Sequence, residues 1–296
     1  VGVKLTSLGT VTKGVARNST MALTKQHKMT LAQAKWAPQY KEAVDQYARD
    51  RGQGAINRAH TRESHAAASE MQTAFNLEVF EHVAAKRAGN KSTASAHVQT
   101  FADDHWQSFT DYLHEELVGA GVPGFTKDRK VKNYIPQIWV KGTVKQALAE
   151  HGKETIIGAL TQGYKNVGND TQGARKLAER QFEWITMDKN NSKYDEFRPT
   201  QDSRSEQRLN VDLSAEYKGL KLMDLVETDL ASIGTRYANR ATGWISLAKA
   251  TDNMLDNDLS LDVFREHIIA EGAAKGVKVD KELAMYDDVI NMAFGR

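Results

Sequence analysis

Only four prolines, at positions 38, 123, 136 and 199, interrupt a chain of 296 residues. Proline lacks the backbone donor and clashes with the preceding helical turn, so long stretches without it are free to run as helix. The apolar residues of those stretches recur mostly at helical spacing, which predicts a mainly α fold, a multi-helix bundle. Tyr40, Val44 and Tyr47 form one stripe after Pro38. Met71, Phe75, Val79 and Val83 form a second, within an alanine-rich run from about Gly54 to Arg87 that reads as one long helix. Ser92 is placed to cap a third helix, one face of which carries Val98, Phe101, His105, Phe109, Tyr112 and Leu117. Burial contributes about 1.5–3 kcal/mol for each such side chain, enough to bring the stripes together.

The second half continues in the same manner. Thr143 with Gln146 reads as a capping box that opens a short helix, and Gly152 as its C-terminal stop. Ile156, Ile157, Leu160 and Tyr164 keep the helical period, as do Ala174, Leu177, Ala178, Phe182 and Ile185. A polar stretch with Pro199 runs from Asn190 to Asp212. Leu209, Val211 and Leu213 then alternate at period two, and the turn-forming Glu216–Gly219 precedes Leu220 and Leu222, which predicts one small β-hairpin near 207–222. From Asp224 the helical period returns through Leu230, Ile233, Tyr237 and Trp244, then around Phe264 and Ile268, and again at Leu283, Tyr286 and Ile290. The expected organisation is a basic N-terminal arm (1–37), a helical bundle (38–122), an extended aromatic and basic connector (123–142) and a helical domain with the hairpin (143–296).

Charge and composition narrow the chemistry. Lysine plus arginine (40) nearly balance aspartate plus glutamate (38), so the whole chain gives no argument for nucleic acid. The basic residues are nevertheless unevenly spread: Lys4, Lys13, Arg17, Lys25, Lys28, Lys35 and Lys41 all precede the first acidic residue, Glu42. Such an arm fits phosphate, anionic lipid or an acidic partner, or is simply a solvated tail. The absence of cysteine excludes disulfides and thiolate metal sites. No stretch approaches the roughly 18 apolar residues of a membrane helix. There is no signal-peptide core, and the start at Val1 suggests a processed protein or a segment of a longer one.

The motifs that resemble catalytic signatures are incomplete. Gly89–Ser92 ("GNKS") resembles the end of a phosphate-binding loop but lacks the upstream glycine and strand. His60 with Glu63, and Asp111 with His114, each place a carboxylate and an imidazole on one helix face, yet a di-iron bundle needs paired Glu-x-x-His motifs and two further glutamates. Glu63-Ser64 and Met71-Gln72 mimic elements of lytic transglycosylases, which makes a peptidoglycan lyase the alternative enzymatic reading. The glycine expected near Glu70 is missing, and a continuous helical period leaves no cleft to raise a carboxyl pKa. No Gly-x-Ser-x-Gly elbow occurs. The expectation is therefore a non-enzyme with no catalytic, cofactor-binding or metal-binding residues and no small-molecule substrate.

One segment breaks the helical pattern. Lys127, Arg129, Lys130, Lys132, Lys141 and Lys145 surround Tyr134, Ile135, Pro136, Ile138 and Trp139, and Pro136 forces Ile135 out of helical geometry. The interleaved lysines and aromatics suit a grip on DNA or another anionic polymer. Equally, the apolar side chains suit a plug between two helical halves with the lysines in water, and composition favours the plug.

Two stretches carry a resemblance. "NYIPQIW" (133–139), followed by a helix of the "KQALAEHG" kind, resembles a Tyr-x-Pro-x-x-aromatic signature of the large internal virion proteins, or DNA-ejection proteins, of short-tailed phages. Residues 203–248 are similar to a second pattern of that family, with Arg208, Asp212, Ser214, Gly219, Asp224, Leu225, Tyr237, Arg240 and Gly243 at the matching positions. The resemblance covers roughly residues 125–296 and ends on "INMAFGR". It implies a virion component released into the host envelope and periplasm, where it assembles with copies of itself and partner ejection proteins into a conduit for the genome. Tyr134, Pro136, Trp139, Arg208, Asp212, Gly219, Asp224, Tyr237, Arg240 and Gly243 are then expected to be architectural or contact residues. Asp212 and Arg240 are further expected to form a buried ion pair. A related reading is a phage protein that binds and protects injected DNA.

Overall fold

The computed structural model describes residues 23–52, 62–87, 89–122, 125–186, 211–250, 269, 270, 272–284 and 287. These are mainly helical, with one small two-stranded antiparallel sheet, as the apolar periodicity predicts. None of the described helices is long and apolar enough to cross a membrane.

Helix α1 (23–34) meets α2 (Ala37–Asp50) at Trp36, with Pro38 in the first turn of α2, where its missing N–H removes no helical bond. The expected stripe of Tyr40, Val44 and Tyr47 is buried. Helix α3 (Arg62–Arg87) buries Phe75, Val79 and Val83 and half-buries Met71. The part of the expected long helix before residue 62 lies outside the described residues. Gly89, at φ 71°, ends α3: its N–H bonds to the Lys86 carbonyl while that of Asn90 reaches back to Ala85. That pair of bonds is a Schellman cap, which needs the left-handed backbone that glycine adopts without strain.

The third helix departs from expectation. It starts at Ala96, and Ser92 caps nothing; its hydroxyl instead bonds to His82 and to the amide of Ala94 in the preceding loop. Helix α4 (Ala96–Thr100) passes through a π-helical turn (Phe101–Trp106) into α5 (Gln107–Gly119). The N–H of Gln107 bonds to the carbonyl of Ala102, five residues back. The extra residue in that turn rotates the following face, so Trp106 is buried and His105, expected on the core face, is half-exposed.

In the second half, α6 (Lys141–His151) begins two residues before Thr143. The expected capping box does not form: Thr143 donates its hydroxyl to the Val140 carbonyl, and Gln146 bonds to Glu150. Gly152 stops α6 as expected and leads directly into α7 (Lys153–Asn166), which pairs with α8 (Thr171–Thr186). The hairpin is shorter than predicted. Strands β1 (Glu216–Tyr217) and β2 (Leu220–Lys221) are joined by Lys218 and Gly219, both at positive φ, a two-residue turn whose twist matches the strands. Val211 and Leu213 are buried but unpaired, because Asp212 Oδ1 accepts both the amide and the hydroxyl of Ser214 and curls the chain. Leu209 lies outside the described residues.

Helix α9 (Leu230–Ala250) buries Leu230, Ile233, Tyr237 and Trp244 and packs on α5. It starts at residue 230 and not at Asp224, because Leu222–Leu225 form a 3-10 turn and Asp229 caps the helix by accepting the amides of Ala231 and Ser232. Phe264, Ile268, Tyr286 and Ile290 lie outside the described residues.

One hydrophobic cluster runs from Ala32 to Ala248 through both halves. Its centre is aromatic: Trp36 lies 5.6 Å from Trp106 and 5.6 Å from Phe109, centroid to centroid, and Phe109 lies 6.0 Å from Tyr237. Edge-to-face and tilted pairs of this kind add about 0.5–1.5 kcal/mol each beyond their area. The close approach depends on glycine at two places. A Cβ on Gly234 would fall 2.5 Å from the Trp36 ring, and one on Gly163 would fall 2.8 Å from the Asp212 carbonyl and against Val211. Backbone and β-branched neighbours yield little, so Gly163→Ala is expected to destabilise the fold by about 1–3 kcal/mol. Gly142, with open space around it, is the control: Gly142→Ala should leave the urea midpoint unchanged or raised.

Candidate functional site

After the short 3-10 turn Lys127–Arg129, the chain bends at Lys132 and Asn133, where Asn133 takes φ 52°, and then runs without helix from Tyr134 to Val140. Pro136 excludes helix here, so each amide and carbonyl of the segment must find a partner elsewhere. The segment is tied to the fold from three directions. The indole N–H of Trp106 donates to the Tyr134 carbonyl at 2.9 Å, and Gln107 Oε1 accepts the amide of Asn133 at 2.7 Å. The side-chain amide of Gln137 donates to the Val211 carbonyl at 2.8 Å. Finally the Val140 amide donates to Leu225 and the Glu227 amide to Ile138, a single β-bridge centred on Trp139 and Val226.

The side chains divide cleanly. Tyr134, Ile135, Pro136 and Ile138 are buried, and Trp139 is half-buried against the core. Lys127, Lys132, Lys141 and Lys145 are exposed. Lys130 bridges to Asp111 at 3.0 Å and Glu115 at 3.3 Å, and the hydrogen bond to Asp111 raises its pKa, so this lysine is engaged within the protein. The side chain of Arg129 lies outside those described. A buried Tyr134 cannot stack on a base, so the geometry is that of the plug, with the cationic rim turned to water.

The other residues singled out in the sequence fall around this plug. The Tyr237 ring packs on the Tyr134 ring at 5.8 Å, which joins the two stretches that carry the family resemblance. Gly219, at φ 81°, makes the hairpin turn, and Gly243 is buried in α9. Asp224 is exposed on the 3-10 turn, outside the packed junction. Asp212 does not pair with Arg240: it is half-exposed, and its oxygens take Ser214 and the Asn166 side-chain amide at 2.6 Å. A side chain able to bond its own turn is satisfied locally before a distant cation is needed. Arg240 is half-buried on α9, and Arg208 lies outside the described residues.

Of the two His-carboxylate pairs, Asp111 and His114 do not converge on a common point. Asp111 accepts from Gln107 and Lys130, whereas His114 Nε2 donates to the Thr126 carbonyl. His60 and the Glu63 side chain lie outside the described residues, among which no cluster of metal-ligating side chains forms. Of the transglycosylase-like elements, the side chains of Glu63 and Ser64 lie outside those described, Met71 is half-buried, and Gln72 donates to Asp229 of the α9 cap; Glu70, at the place of the expected glycine, is exposed.

Sequence reasoning missed one polar cluster. His82, buried on α3, bonds through Nδ1 to Ser92 Oγ at 2.8 Å and through Nε2 to Asp103 Oδ1 at 3.0 Å, and Lys86 holds the other Asp103 oxygen at 2.7 Å. Partial burial pushes the Asp103 carboxyl up, but the hydrogen bonds from Lys86 and His82 outweigh it and hold the group below the ordinary value of 3.8. The only sequence signal was His82 falling one residue before the core position Val83. No protein-family model matches the chain, and no curated protein matches it.

Three expected outcomes follow from this geometry. Trp106→Phe strands the buried Tyr134 carbonyl and should lower unfolding free energy by about 1–3 kcal/mol in urea titration. Lys132→Gln or Lys141→Gln, at the rim, should shift it by no more than about 0.5 kcal/mol; equal losses at rim and indole would refute the plug. Because the Asp103 pKa is depressed in the folded state, its stabilisation is complete above the unfolded value and fades as pH falls through the folded one. Asp103→Asn should therefore flatten the fall in stability below about pH 4, the range of unperturbed carboxylates, measured by thermal melts between neutral pH and pH 2.

Proposed function

We propose that this chain is a structural module of an internal virion protein, of the kind that short-tailed phages eject into the host envelope to build a conduit for the genome. Its output is contact with copies of itself and with partner ejection proteins. One observation carries the reading: the two stretches on which the resemblance rests, far apart in sequence, meet in one junction. There Tyr134 packs on Tyr237 and Gln137 bonds to the carbonyl of Val211. Residues of that kind hold helices in register, which is the role the resemblance assigns to them.

The exposed lysines 127, 132 and 141 give the module a cationic rim suited to the acidic surface of a partner or to DNA passing along the conduit. In this reading the protein resides in the virion and, after ejection, in the host envelope and periplasm.

Native mass measurement and electron microscopy of the chain, alone and mixed with the other internal proteins of its virion, test the proposal. Rings, tubes or defined hetero-oligomers are expected. A chain that stays monomeric in every mixture overturns it. Duplex binding whose affinity falls steeply with salt, without assembly, would move the assignment to a protein that coats injected DNA.

A further inference from the structure

Among the polar clusters of the described residues, that of Ser92, His82 and Asp103 has the order and spacing of a nucleophile, its base and the group that orients the base. We propose that Ser92 is an activated nucleophile that accepts acyl groups from carboxylic esters, a reactivity beyond the assembly role.

The electronic argument starts at Asp103. An ionised carboxylate only accepts hydrogen bonds, so the His82 nitrogen facing it, Nε2, must carry a proton. In the neutral ring Nδ1 is then the bare nitrogen, and it faces the Ser92 hydroxyl at 2.8 Å. Lys86 on the second carboxylate oxygen keeps Asp103 ionised and fixed in orientation. Asp103 and Lys86 are positioning residues; Ser92 and His82 meet the reacting atoms.

Access is one-sided. His82 is only 2 % exposed beneath the loop, whereas Ser92 is half-buried on it, between exposed Lys91 and exposed Thr93. An ester therefore approaches from the loop side and meets the hydroxyl first. Of the loop amides, Gly89 and Asn90 close the helix cap, Ala94 donates to Ser92 Oγ, and Ser95 donates to Glu78. Among the described residues, the amides of Lys91, Ser92 and Thr93 donate to no protein group, and they are the donors left for the oxygen that becomes negative in the tetrahedral intermediate.

The step balances with water as the sole co-reactant. Ser92 Oγ bonds to the ester carbonyl carbon, its proton passes to His82 Nδ1, and the C–O bond to the alcohol breaks as Nδ1 returns the proton to the leaving oxygen. Water then attacks the acyl-serine by the same proton route, which releases the acid and restores the hydroxyl.

The test uses the full chain and a biotinylated fluorophosphonate. One adduct, mapped to Ser92, is expected on the native protein, with none on Ser92→Ala. His82→Gln should label at least about 100-fold more slowly, the loss typical of removing a general base. Circular dichroism establishes that each variant is folded. Should His82→Gln not fold, Ser92→Cys gives an independent measurement, because the chain contains no other thiol. Its alkylation by iodoacetamide should persist well below the ordinary thiol pKa of about 8.5. The proposal is overturned if the folded native chain takes no adduct, if Ser92→Ala is labelled equally, or if the cysteine alkylates with the pH profile of an unassisted thiol. None of these outcomes alters the assembly measurements, so the two proposals fail separately.

Discussion

The hydrogen bond from the Trp106 indole to the Tyr134 carbonyl anchors the rest of the architecture. A proline-bearing segment that belongs to neither helix nor sheet brings a row of polar backbone groups into a hydrophobic interior. Left unmatched, each would cost about as much as a core methylene cluster gains. Trp106 resolves the first of these and, because its ring is itself part of the aromatic centre, ties the strip to the helices at the same point. Once Tyr134 is fixed, Ile138 and Val140 come into line with the 225–227 segment, and the hairpin and α9 are placed by pairing with a template already laid down.

That dependence explains the composition of the helices around the strip. Helix α9 presents Gly234, Ala238, Ala241 and Thr242 to the interior between its larger residues, and Trp36 occupies the gap above Gly234. Small residues there let bulky rings from the α1–α2 junction, α5 and the strip approach closely. The same economy recurs at α7, where Tyr217 of the hairpin covers Gly158 and the loop at Val211 covers Gly163. Rigid rings seated on glycine give a core that resists sliding.

Much of this was legible in the sequence, and the limits are physical. The stripes of α2, α3, α7 and α8 follow from local periodicity, and burial of one face is the only outcome such a pattern permits. Trp106 was not legible, because the π-helical turn before it shifts the phase and a sequence does not announce an inserted residue. The caps at Ser92 and Thr143 failed for a related reason: a hydroxyl has several backbone partners within reach, and tertiary packing chooses among them. At the candidate site, proline fixed the extended conformation in advance. Whether Tyr134 faced water or the core depended on Tyr237, a residue far along the chain, and no local signal reports what will cover a ring. The cluster at His82 was invisible for the same reason, since its three members come from a helix, a loop and a π-turn that only the fold brings together.

The π-turn and the strip also bear on how the molecule comes into being. Phe75, Phe101, Trp106 and Phe109 leave the ribosome long before Tyr237 and the remainder of α9, which complete their enclosure. At a synthesis rate of about 5–20 residues per second, that leaves an oily aromatic face uncovered for several seconds on every nascent chain. Until α9 emerges to close it, that face is open to contact with neighbouring nascent chains.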